Sequence, residues 1–64
     1  MFSRPGDPVV LLKAHVGLKN RIYIGELAIV IGYQRGGWYK VEVYPEFGEN
    51  VVVKWRGGRG MERL

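Results

Sequence analysis

Between Trp38 and Tyr44 the chain alternates strictly, and this run constrains the fold more than any other. Tyr39, Val41 and Val43 fall on one side, and Trp38, Lys40, Glu42 and Tyr44 on the other. A period of two is that of a β-strand with one buried face, so the first set is predicted to enter the core. Val51–Trp55 repeats the pattern, with Val51, Val53 and Trp55 opposed to Val52, Lys54 and Arg56. Glu26–Tyr33 is a longer apolar run, and Val9–Ala14 a shorter one, β-branched at its start; both read as strands. No window sustains apolar residues at i, i+3, i+4 and i+7 over three turns, which excludes a helical plan.

The segments between these runs are rich in turn formers. Residues 1–8 hold two prolines, a glycine and an aspartate, and read as a loop or flexible lead-in. His15 to Gly25 is broken by Gly17, Asn20 and Gly25, and reads as a long loop between strands 1 and 2, with Ile22-Tyr23-Ile24 as a short extended piece inside it. Gly36-Gly37 suits a two-residue hairpin loop, because the favoured turns there need positive φ. Pro45–Asn50 makes the next turn, and Arg56–Gly60 interrupts the fourth strand. Met61–Leu64 is then either a short closing strand or one helical turn. The expectation is one domain over 1–64, all-β, a small five-stranded barrel whose closure removes exposed edges.

At 64 residues without a cysteine, the chain has no disulfide and no thiolate metal site. A domain of this size buries only about 60% of its unfolded surface, so every strand must contribute to a thin core. His15, the single histidine, cannot build a zinc site alone. No cofactor and no metal are expected. No run approaches the ~20 apolar residues of a membrane span, and residues 1–8 lack the apolar stretch of a signal peptide. The expected location is therefore cytoplasmic, with no membrane partner.

Gly6-Asp7-Pro8-Val9-Val10-Leu11 is similar to the G-D-x-V-x-V opening of SH3-like barrels. Gly25-Glu26-Leu27-Ala28-Ile29-Val30 resembles the G-x-x-G-x-V centre of a KOW segment, with Glu26 or Ala28 where the second glycine usually stands. Trp38–Val43 follows after a tight turn. Over roughly residues 6 to 64 the layout resembles the SH3-like barrel class, and within it the KOW-type translation and transcription modules. That resemblance implies a five-stranded SH3-like barrel with a long loop between strands 1 and 2. Barrels of this kind bind nucleic acid, and others serve as small accessory subunits of larger complexes, photosynthetic ones among them. Peptide-binding SH3 domains are a poor match, since their first long loop is acidic and aromatic, whereas His15–Arg21 here is basic.

The formal net charge of +4 favours polyanionic partners. Arg35, Trp38, Lys40, Tyr44, Lys54 and Arg56 are predicted to share one outer face, where cations would neutralise phosphates and rings would stack or wedge. The small basic archaeal chromatin proteins resemble this arrangement. Glu42 lies within the same face and opposes the charge argument. Arg35-Gly36-Gly37 and Arg56-Gly57-Gly58-Arg59-Gly60 are similar to segments of RNA-binding tails, which adds Arg59 as a candidate. Lys19 and Arg21 in the long loop form a secondary basic site for a second phosphate track or an acidic protein surface.

Catalysis is not expected. Asp7, Glu26, Glu42, Glu46, Glu49 and Glu62 are scattered over turns and strand edges, His15 has no partner motif, and no phosphate-cradling loop is present. The leading reading is a non-enzymatic nucleic-acid-binding module, of DNA or RNA. Its alternative is a small accessory or regulatory subunit that binds an acidic protein surface. A third reading is a homo-oligomer, whose second copy would complete the thin core; light scattering across concentration distinguishes it.

Overall fold

The computed structural model describes residues 4–13 and 23–64. Five strands form one antiparallel sheet: β1 (Pro8–Leu11), β2 (Leu27–Gln34), β3 (Trp38–Tyr44), β4 (Val51–Arg56) and β5 (Met61–Arg63), in the order β4-β3-β2-β1-β5. The β3 run has the bounds expected from its alternation, and Met61–Leu64 resolves to a strand rather than a helical turn. β1 stops at Leu11, short of the expected Ala14. It also begins one residue early, on Pro8, a place where a strand tolerates a missing N–H. Among the described residues no helix is long and apolar enough to cross a membrane.

Register decides which side chains meet. Tyr39, Val41 and Val43 of β3 lie opposite Trp55, Val53 and Val51 of β4. Val41 and Val43 also face Val30 and Ala28 of β2. Val9, Leu11, Ala28, Val30, Tyr39, Val41, Val43, Trp55 and Met61 form one buried cluster, with Tyr23, Val51 and Val53 packed against it. The expected inward set of β3 is thus fully buried, as is Trp55 on β4. Long β-branched and aromatic side chains fill this face because alternate positions share it without crowding the backbone.

The sheet is rolled, but it is not closed into a barrel. β4 and β5 occupy opposite edges of the strand order, yet Trp55 of β4 and Met61 of β5 share the core. A single flat sheet could not bring them together. The gap is spanned by the 3-10 turn Gly58–Gly60. There the Gly60 carbonyl accepts from Trp55 Nε1 at 2.7 Å and from the amides of Leu12 and Lys13 at 2.9 and 3.2 Å. One backbone oxygen therefore ties β4 to the end of β1. The ladder stays open because β5, only three residues long, pairs with β1 on one edge and forms no ladder with β4 on the other.

Residues 4–7 form a hydrogen-bonded turn. The Arg4 amide donates to Asp7 Oδ2 at 2.8 Å, Asp7 N to Arg4 O at 2.9 Å, and Gly6 N to Val30 O at 2.7 Å. Arg63 Nε lies 3.7 Å from Asp7 Oδ2, linking this turn to β5. Tyr23 and Ile24 sit in a turn rather than an extended piece, with Glu26 N donating to Tyr23 O at 3.0 Å and Gly25 at φ 89°.

The β2–β3 connection is the three-residue turn Arg35–Gly37, not the expected two-residue loop, since Gln34 pairs with Trp38. Gly36 and Gly37 do take positive φ, 76° and 83°, as the glycine pair demanded. Gly57 is required for a different reason. A Cβ there would lie 2.9 Å from Tyr39 Cδ1 and nearer still to Cε1. Gly57→Ala must push the buried Tyr39 ring aside and is expected to lower stability by about 1–3 kcal/mol. Urea denaturation followed by tryptophan fluorescence will measure this.

Candidate nucleic-acid interface

The outer face of β3 and β4 gathers the basic residues. Lys40 stands directly opposite Lys54, and Trp38 opposite Arg56. Side chains directly opposite one another lie about 5 Å apart at Cβ, and like charges so placed repel. On the other side, Lys40 faces Gly32, which offers no side chain and has nothing within 4 Å of a notional Cβ. Lys40, Lys54 and Arg56 are all exposed. Lys40 can therefore be approached freely across β2.

Trp38 is half-buried, and its ring is engaged. Lys54 Nζ lies 5.8 Å and Arg56 Cζ 5.4 Å from its centroid. Both distances fall within the range of cation–π attraction. The backbone explains why the two cations converge, since Arg56 is Trp38's direct cross-strand partner and Lys54 the diagonal one.

The two Arg-Gly-Gly segments meet at one corner. Gly57 N donates to Gly37 O at 2.8 Å, and a Cβ on Gly37 would lie 3.9 Å from Arg56 Nε. Arg56 thus leans toward the Arg35–Gly37 turn, and exposed Arg35 joins the corner. Gly37 N also donates to the Tyr33 hydroxyl at 3.3 Å, and Tyr33 packs edge-on against Tyr39 with centroids 5.1 Å apart. The glycines of both segments serve as folded turns.

Other candidates lie elsewhere. Tyr44 is at the far end of β3, where its hydroxyl donates to Glu42 Oε1 at 3.3 Å. The Glu42 charge, then partial desolvation and the same hydrogen bond, raise the Tyr44 phenol above its ordinary 10.0. It remains a neutral donor at physiological pH. Arg59, in the 3-10 turn, lines an open cavity of about 500 Å³ with Leu12, Tyr39, Gly58, Met61, Glu62 and Arg63. Lys19, Arg21, Asn20 and His15 lie outside the described residues. Tyr23, at the end of that loop, packs against the core.

The sequence did not reveal an apolar half of this same face. Leu27 pairs with Tyr44 and with Val10, and Glu42 lies between Ile29 and Val52. Leu27, Tyr44 and Val52 are 52%, 44% and 50% exposed. In the apolar run Leu27–Ile31 every residue is hydrophobic, so hydropathy alone gives no signal for the outward set. A bulge at Ile31, where the register shifts between Val30 and Gly32, further breaks the alternation.

Three of the carboxylates serve the framework. Asp7 holds the lead-in turn, Glu26 Oε2 accepts from the Glu46 amide at 2.6 Å, and Glu42 accepts from Tyr44. Among the described residues no three His, Cys, Asp or Glu side chains gather as a metal site. Comparison with protein-family models, with curated proteins and with solved structures finds no match.

Proposed function

We propose that this chain is a non-enzymatic nucleic-acid-binding module on an SH3-like plan, contacting phosphates through Arg35, Lys40, Lys54 and Arg56. The strand order β4-β3-β2-β1-β5, with a 3-10 turn before β5, supports the SH3-like label. The observation that carries the function is the direct opposition of Lys40 and Lys54 on an exposed face, with Arg56 beside them. Two lysines set across one ladder cost stability in the free protein. A phosphate track between them converts that repulsion into shared attraction, with release of condensed counterions. The half-buried Glu42 bounds the basic area on the side toward Tyr44.

Fluorescence anisotropy of labelled duplex DNA, single-stranded DNA and RNA at two salt concentrations tests this. Binding at micromolar protein or tighter, falling log-linearly with salt, is the expected result. No binding at low salt removes the reading. A second reading, an accessory subunit docked on an acidic protein surface, is favoured by the exposed pair Leu27–Tyr44 and by Val52 next to the cations. Such an interface would depend on salt much less steeply.

A further inference from the structure

Given the nucleic-acid reading, on which this rests, we propose that Trp38 is a positioning residue for Lys54 and Arg56, and that the basic corner takes the phosphate backbone of duplex nucleic acid without stacking on its bases. Single-strand binders need aromatic rings free to receive bases. Of the rings at this corner, Trp38 and Tyr39 are engaged within the chain, while Tyr33 stays 57% exposed. Trp38 carries Lys54 and Arg56 at 5.8 and 5.4 Å. Tyr33 packs edge-on against Tyr39 and accepts from Gly37 N. Tyr39 is buried, 4% exposed. A base stacking on the cation-bearing face of Trp38 would displace Lys54 or Arg56, which the phosphate requires.

The same contacts suit a duplex. Long lysine and arginine side chains lose considerable rotamer freedom on binding, and a ring that already restrains them reduces that loss. The cations are offered from two adjacent strands, Lys40 from β3 and Lys54 and Arg56 from β4. They therefore project from one sheet face rather than lining a cleft that wraps a single strand. Phosphates carry no sequence information, so recognition here is blind to base identity.

The test compares a short labelled duplex with its separated strand, for the wild type, Trp38→Leu and Trp38→Phe. The duplex is expected to bind about fivefold tighter or more, because stacking supplies nothing to the single strand. AT-rich and GC-rich duplexes should bind alike. Trp55 is 1% exposed, so quenching of tryptophan emission on single-strand addition reports stacking on Trp38; little quenching is expected. Trp38→Leu should weaken duplex and single strand by the same factor, about three- to tenfold, with the salt slope nearly unchanged because the cations remain. Trp38→Phe, which keeps a ring, should recover most of the affinity; a merely structural tryptophan would instead move the melting temperature and not this pattern. Tighter binding of the single strand with quenched emission overturns the proposal while leaving nucleic-acid binding intact, as does a Trp38→Leu loss confined to the single strand. Absence of binding to both probes overturns the functional reading itself.

Discussion

Trp55→Ala is expected to leave the chain largely unfolded at 25 °C. Trp55 is the largest fully buried side chain, 1% exposed, and it stands on an edge strand. Truncating a buried aromatic to alanine typically costs 3–5 kcal/mol, about what a core of this size supplies in total. The loss is also topological. Trp55 bridges the open side of the sheet, through the cluster it shares with Met61 and through its Nε1 bond to Gly60 O. Trp55→Phe separates the two contributions. It keeps an aromatic ring of somewhat smaller volume and removes the indole donor. Gly60 O still accepts from the Leu12 and Lys13 amides, so no carbonyl is orphaned. A loss of about 1–2 kcal/mol is expected for phenylalanine. Far-UV circular dichroism with a urea titration reads both variants; a cooperative, stable Trp55→Ala domain would contradict the placement of this residue.

The second large effect concerns the facing lysines, and its two parts carry opposite signs. Lys40→Gln with Lys54→Gln should reduce nucleic-acid affinity at low salt by about a hundredfold and lower the salt slope by about two, one per lost phosphate contact. Lys40→Glu alone sets a carboxylate opposite Lys54. It should stabilise the fold by about 0.2–1 kcal/mol, since a repelling pair becomes an attracting one, while still weakening nucleic-acid binding. Anisotropy and thermal melting on the same preparation decide the matter. A Lys40→Glu protein that melts higher and binds less would show charge placed for a ligand at the expense of the fold. Unchanged affinity in the double glutamine variant would remove Lys40 and Lys54 from the site.

The edges and the corner differ in how far they could be read in advance. β3 and β4 alternate cleanly, so their inward and outward sets followed from hydropathy, and burial agrees for Tyr39, Val41, Val43 and Trp55. Glycine at 36 and 37 announced a turn with positive φ, although the turn spans three residues instead of two. β2 was legible as a strand but not as a surface, because an all-apolar run hides which side faces out. Arg59 is a different case. Its Arg-Gly-Gly surroundings grouped it with Arg35 and Arg56, yet the 3-10 turn before β5 sends it to the cavity beside Leu12 and Met61.

By itself, then, the chain's pattern of apolar and turn residues determined an all-β domain, the inner faces of two strands and the outward course of Lys40, Lys54 and Arg56. These are local properties: a strand's alternation and a glycine's freedom are written within a few residues. Tertiary structure alone decided that Lys40 faces Lys54, that Trp38 lies under two cations, and that the Gly57 amide joins the Gly37 carbonyl. It also decided that the sheet rolls without closing. Each of these depends on register between distant segments. A one-residue slip would turn every side chain of a strand to the opposite face, and that register is set only when the whole core packs.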